Sequence, residues 1–245
     1  MKILFLVPFS FVSVSPVFAQ ESNWEYSTTL YGWFTGISNT VETPAGEVKT
    51  EADFSDVWDS LDLALMGTFE ARRHRWSFIG DLIYSDLSAS SDTPGPVFNA
   101  AKVETEMTLL SAYAAYRVVD TADATLDLGG GLRWYDVDID VGLTGGPLPG
   151  NRSFGDNWVD PILAARLAVP LSGDWFAAGM VDVGGFGIGD ASDLSWQVLA
   201  SVGYKFNETW SARFGYRYLS IEKKIDGTDV DLELYGPVIG ITARF

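Results

Sequence analysis

Residues 235 to 245 read Tyr235, Gly236, Pro237, Val238, Ile239, Gly240, Ile241, Thr242, Ala243, Arg244, Phe245. Counting back in twos from Phe245 gives Ala243, Ile241, Ile239, Pro237 and Tyr235, while the residues between include Arg244, Thr242 and Gly240. Successive side chains of a strand point to opposite faces, so this period of two predicts a ribbon with one greasy and one polar face. Upstream, Leu61, Leu63, Leu65, Gly67, Phe69 and Ala71 alternate in the same way with Asp62, Ala64, Met66, Thr68, Glu70 and Arg72. Ten such stretches are expected, near 24–37, 61–71, 76–88, 103–118, 125–140, 158–169, 175–187, 195–206, 210–222 and 229–245. Eight strands are the alternative, if the weaker stretches 24–37 and 158–169 are something else.

Met1 and Lys2 precede a mostly apolar stretch from Ile3 to Phe18, with small Val17 and Ala19 before Gln20, which predicts a secretory signal over residues 1–19. Setting it aside leaves 226 residues (245 − 19), enough for one β domain over 20–245. After the signal no run approaches the ~18 apolar residues of a spanning helix. A membrane chain without such runs must be a closed barrel, because its backbone has to satisfy its own hydrogen bonds in lipid. Cysteine is absent, which excludes a disulfide framework, thiol chemistry and thiolate metal sites. The net charge of −17 argues against nucleic acid, whose phosphates need a basic partner.

Connection lengths carry a second signal. Arg72 to Arg75, Asp120 to Ala124, Pro170 to Asp174 and Asn207 to Thr209 are tight, whereas 38–60, 89–102 and 141–157 are long, with shorter ones near 188–194 and 223–228. Short turns at one end and longer loops at the other are expected of a transmembrane up-and-down barrel. Register can be tested on paper. Phe206 opposite Trp210 sets Tyr204 against Ala212, Val202 against Phe214 and Ala200 against Tyr216, while a one-residue slip would carry arginines to the greasy face. Trp175 opposite Val169 likewise predicts Ala177 against Leu167 and Val181 against Leu163. Trp76, Trp175, Trp210, Tyr116 and Phe245 then fall at the tight-turn end as one aromatic girdle.

The alternation, the terminal aromatic and repeated aromatic-glycine strands such as Arg213, Phe214, Gly215, Tyr216, Arg217, Tyr218 resemble small Gram-negative outer-membrane β-barrels. These include opacity-type surface proteins and the membrane domain of outer-membrane protein A. The resemblance covers the mature chain at the level of pattern. It implies an all-β antiparallel barrel in the outer membrane with both termini periplasmic, and contacts with outer-membrane lipid and lipopolysaccharide. It also implies Tyr235, Ile239, Ile241 and Phe245 as the signal read by the barrel-assembly machinery. A monomer is expected. With Phe245 closing the chain, a peptidoglycan-binding domain after the barrel is not expected.

On the strand assignment the lumen receives Asp62, Glu70, Asp81, Asp127, Asp160 and Asp182 against Arg72, Arg117, Arg133, Arg166, Lys205, Arg213, Arg217 and Arg244. With Tyr116 opposite Leu128 outside, Arg117 falls opposite Asp127 inside and an ion pair is predicted there. The set reads as an ionic core that replaces the apolar core of a soluble barrel, since narrow barrels fill their interior with side chains. A selective pore or ligand cavity is the alternative. Inward Gly129, Gly131 and Gly184 are expected to make room for Tyr113, Tyr135 or an arginine.

In the first long loop Asp53 precedes Phe54, Val57, Trp58 and Leu61 at helical spacing, which predicts a short helix over 53–60. Its apolar edge, with Phe54, Val57 and Trp58, packs on the barrel rim or plugs the mouth. Asp136, Asp138 and Asp140 share a strand face and read as a solvated acidic edge, a calcium or magnesium site being the sharper alternative. No metal or cofactor is expected.

Some outer-membrane barrels are hydrolases that rely on a histidine near the outer rim. The one histidine, His74, lies in the tight turn Arg73, His74, Arg75 without a serine neighbour. Resemblance to a ten-stranded omptin protease extends to strand count only, so a non-enzymatic role is expected. The preferred function is an envelope structural or surface-interaction barrel with a narrow or plugged lumen. The alternative is a porin-like channel or carrier for small solutes, anions among them.

Overall fold

The computed structural model describes residues 24–43, 46–52, 61–92, 100–144, 150–225 and 228–245. Ten strands close on themselves: β1 (Trp24–Trp33), β4 (Leu61–Arg73), β5 (Trp76–Asp92), β6 (Ala100–Asp120), β7 (Thr125–Thr144), β8 (Gly150–Pro170), β9 (Trp175–Gly185), β10 (Leu194–Lys205), β11 (Trp210–Ile225) and β12 (Thr228–Arg244). Neighbours are antiparallel and β1 pairs with both β4 and β12, so the sheet has no open seam. The seam is sealed at Phe245, which exchanges two backbone hydrogen bonds of 3.0 Å with Tyr26 and stacks on its ring. Both stretches on which the eight-strand alternative turned are strands.

The remaining pair is a flap. β2 (Gly36–Thr43) continues β1 past Phe34 and Thr35 and stays paired to β12, and β3 (Gly46–Ala52) folds back along it. The first half of the expected loop 38–60 is therefore a hairpin. The predicted helix over 53–60 lies outside the described residues, as does the predicted signal over 1–19. The described residues of the expected loops 89–102 and 141–157 are also strand, because β5 and β6 stay paired to Asp92 and Ala100, and β7 and β8 to Leu143 and Gly150. Small and polar residues such as Ala89, Ser90, Ser91, Gly150, Asn151 and Ser153 replace the apolar–polar alternation there, which hides these strand ends from a hydrophobicity reading.

Side-chain burial inverts that of a soluble protein. Leu132 is 55% exposed while its neighbour Arg133 is fully buried, and Val159 is 45% exposed while Asp160 is fully buried. An exposed apolar band of this extent marks a surface made for an apolar medium. Rings border it at both ends. At the tight-turn end Trp76, Tyr116, Trp175, Trp210 and Phe245 all point outward, with Trp76 on Tyr116 and Trp175 on Tyr204 edge to face. At the loop end Trp196, Tyr218 and Tyr235 form a stacked row. From Trp210 to Tyr218 a strand advances about 26 Å, or about 20 Å in height at a tilt near 40°, close to the ~25 Å apolar band of outer-membrane barrels.

The paper register holds for β10 and β11, where Tyr204 faces Ala212, Val202 faces Phe214 and Gly203 faces Arg213. It fails by two residues between β8 and β9. Val169 pairs with Ala177 and Leu167 with Gly179, and Val181 faces Ala165 rather than Leu163. The turn is tighter than expected, with the Leu171 amide donating to the Trp175 carbonyl at 2.8 Å. A shift of two preserves every face, so Asp160, Arg166 and Asp182 still point inward.

Candidate functional site in the lumen

Three tiers fill the lumen from the loop end to the tight-turn end. The uppermost is apolar: Trp33, Met66, Ile83, Leu109, Tyr135, Trp158, Leu219, Ile221, Leu234 and Val238 pack as one buried cluster. Each comes from an inward position of its strand, and Tyr135 stacks on Trp158 with ring centroids 4.7 Å apart. An ionic core was expected throughout, yet this tier is a hydrophobic plug built by the strands themselves. The parity of Trp33 and Trp158 was readable, but the short inward run of aromatics was masked by the charged positions nearby.

The segment between β9 and β10 turns inward to hold the plug. Trp158 Nε1 donates to Ser192 Oγ at 2.8 Å, the Ser192 amide donates to Asp160 Oδ1 at 2.8 Å, and Ser195 Oγ donates to Asp160 Oδ2 at 2.6 Å. Asp160 thus has no cation partner among the described residues and is satisfied by neutral donors. Phe186, Gly187 and Gly189 all have positive φ, as does Gly185 at the end of β9, where a side chain would strike the Ser192 carbonyl. These glycines make the inward turn. Lys223 caps the tier, with Nζ 4.7 Å from the Trp158 ring centre, 3.7 Å from Asp156 and 3.6 Å from Asp190.

The middle tier is a buried ionic network. Arg133 Nη2 lies 2.7 Å from Asp182 Oδ2 with both side chains fully buried, and Arg133 Nε donates to Ser111 Oγ at 2.9 Å. Gln197 Nε2 also donates to Asp182 Oδ2, and Gln197 Oε1 accepts from Arg217 Nε at 2.9 Å. Arg217 reaches Asp81 at 3.5 Å, and Asp81 accepts from Tyr31 and Thr68 hydroxyls at 2.9 and 2.8 Å. Arg217 also lies over the Trp33 ring at 4.8 Å, which ties this tier to the plug. A methyl on Gly131 would run into the backbone of Ala112 and Tyr113, so this glycine admits a close strand approach. Gly184 makes room for Ile162, not for a tyrosine or arginine.

The lowest tier surrounds a cavity of about 990 Å³ that reaches the turn residues Thr121, Ala122, Pro170, Glu208 and Thr209. One wall is neutralised. Arg117 Nε meets Asp127 at 2.9 Å, as the register predicted; Arg72 bridges Glu70 at 2.8 Å and Asp127 at 3.0 Å, and Arg166 meets Glu70 at 2.9 Å. The other wall carries Lys205, Arg213 and Arg244, none of which lies within ion-pair distance of a carboxylate of the described residues. The Asp62 side chain and the whole of Phe54, Val57 and Trp58 lie outside the described residues. Tyr235, Ile239 and Ile241 lie in the outward row of β12, facing Tyr218, Phe214 and Ala212 across the ladder, and Phe245 follows just beyond its end.

Outside the barrel, Asp136 and Asp138 stand beyond the apolar band, opposite Thr108 and Glu106. His74 is exposed at the tip of the β4–β5 turn with φ 54°, at the opposite end from the flap.

No family model and no curated protein matches the sequence. Solved structures do. The outer membrane protease OmpT from Escherichia coli superposes with a TM-score of 0.63 at 10% identity, covering 94% of this chain and 99% of that one. The translocator domain of the autotransporter NalP from Neisseria meningitidis gives 0.51 at 14% identity, covering 92% and 90%. The chain therefore has the fold of Gram-negative outer-membrane β-barrels, a closed ring of ten antiparallel strands. At these identities the likeness is one of fold and transfers no activity.

Proposed function

We propose that this protein is an integral outer-membrane barrel with a filled lumen, serving as an envelope structural or surface-interaction protein. The observation that carries the reading is the stack of fully buried side chains across the barrel, with Tyr135 and Leu219 above Arg133 and Asp160. Side chains without exposed area leave no water path where they pack. The tight turns and both ends of the mature chain face the periplasm, and the strand extensions, the flap and the acidic residues around Glu106 and Asp138 face outward, toward lipopolysaccharide. Residues 1–19 direct export, and the row Tyr235, Ile239, Ile241, Phe245 is what the assembly machinery reads. The exposed belt meets lipid on all sides, as in a monomer.

The role is non-enzymatic. OmpT offers the same scaffold to a protease, but His74 stands on the turn side, away from the loop-end rim. A porin-like channel or carrier is the second reading, favoured by the cavity wall of Lys205, Arg213 and Arg244. Single-channel recording in planar bilayers decides between them. The filled lumen predicts no discrete openings. Steady openings whose ion preference changes in Arg213→Glu or Arg217→Glu would replace the proposal with the channel.

A further inference from the structure

The turn-end cavity is built unevenly, and its basic wall has a missing counter-charge. Arg213 projects from β11 between Gly203 on β10 and Gly240 on β12, so neither neighbour contributes a side chain to shield it. Its Nε has no exposed surface and no hydrogen-bond partner among the described residues, and Arg166 Nη1 across the cavity is in the same condition. Buried donors are normally satisfied, and a guanidinium N–H buried without an acceptor is costly. Arg166 and Arg244 line the same cavity, and Glu70 is already shared between Arg72 and Arg166.

A ring completes the wall. Phe176 lies against Gly203, where a methyl group would overlap it, and the Arg213 guanidinium and the Lys205 ammonium each stand 5.9 Å from its centre. A π-face attracts both cations but neutralises neither. Gly203 thus places an apolar floor that brings Lys205 and Arg213 to one spot.

We propose that this wall is a binding site for a phosphate-class dianion, with Arg213 as its central donor, Lys205 and Arg244 at its mouth and Arg166 opposite. Three guanidinium groups and an ammonium offer directed donors to several oxygens at once, which suits a tetrahedral oxyanion better than a halide. The site opens toward the tight turns and is roofed by the Arg133–Asp182 tier. It is a dead-end receptor on the side assigned to the periplasm, in keeping with the filled lumen proposed above. The group bound is a free phosphate compound or the headgroup of a phosphorylated lipid entering from the turn end.

The test is equilibrium binding of inorganic phosphate to the full barrel in a maltoside detergent, by calorimetry and phosphorus NMR line broadening. Saturable binding is expected, weakened about tenfold or more by Arg213→Gln, as for loss of a charged hydrogen-bond donor. Lys205→Gln, a change at the exposed rim that leaves the fold alone, weakens it several-fold. Phosphate that fails to saturate the wild-type barrel, or binds it and both variants equally, overturns the proposal. Repeating the titration in phosphatidylcholine nanodiscs with and without phosphatidic acid separates the sources. Competition by the acidic lipid assigns the site to a headgroup, and its absence assigns it to a free ligand. Binding is read independently of conductance, so failure of this site and failure of the filled-lumen reading give different results.

Discussion

Arg133 of β7 reaches past β8 to Asp182 of β9, Nη2 to Oδ2 at 2.7 Å, with no part of either side chain exposed. The strand between them contributes Asp160 at the same level, directly opposite Arg133 in the ladder, yet Asp160 is occupied by Ser192 and Ser195. The nearest acid in register is therefore not the partner. Geometry in the closed ring decides the pairing.

Removing one partner of this pair should be far worse than removing both. Asp182→Ala strands a buried guanidinium and is expected to cost about 3–5 kcal/mol, whereas Arg133→Met with Asp182→Leu restores most of the loss. Urea unfolding of the barrel in lipid vesicles, read by tryptophan fluorescence, measures both. Equal losses in the single and double variants would show that the pair is not the source of the effect.

Trp158 joins the plug to the inward segment 186–193 by two separable contacts. Trp158→Phe keeps stacking on Tyr135 but loses the donor to Ser192, and should cost about 1 kcal/mol, typical of one hydrogen bond. Trp158→Ala also empties part of the plug and should cost about 3–5 kcal/mol. Amide exchange in 188–193 should rise in both variants. Unchanged exchange would mean that the segment is held without Trp158.

Leu163 is 61% exposed at the middle of β8, flanked by Gly130 and Val183. Leu163→Arg is expected to destabilise the barrel in a bilayer by about 2–4 kcal/mol, because it places a charge in hydrocarbon. The same change should have little effect in a soluble protein. Folding equilibria in lipid vesicles provide the measurement, with Leu163→Ala as the control for lost packing.

Absence of cysteine makes orientation testable with single introduced thiols. Asp190, 86% exposed on its side chain, lies at the loop end, and Ser172 lies in the tight turn after β8. A membrane-impermeant maleimide should label Asp190→Cys on intact cells and Ser172→Cys only after the outer membrane is opened. The reverse pattern would invert the assigned sides and place the anion cavity on the cell surface.

Much of this was legible because a strand's two faces are a local property. The parity of residues such as Leu132 and Arg133 follows from their neighbours in sequence, and so do the ten ribbons and the aromatic ends at Trp76, Trp175 and Trp210. The Arg117–Asp127 pair was also readable, since setting Tyr116 against Leu128 on the outer face places it across two adjacent strands, a bulge at Val118 taking up the offset to the turn. The plug was not. Trp33, Tyr135 and Trp158 each look like single inward aromatics, and only the ring brings strands β1, β7 and β8 around one axis.

The sequence alone determined which side chains meet the apolar exterior and which enter the lumen, for the period of two requires no knowledge of partners. Tertiary structure decided which inward residues meet one another. A register shift by two residues, such as the one between β8 and β9, leaves every face unchanged and is invisible to alternation. Such offsets accumulate around the closed ring. They set the heights at which Arg133 finds Asp182, Arg217 finds Asp81, and Arg213 faces the cavity beyond ion-pair distance of the carboxylates on its other wall.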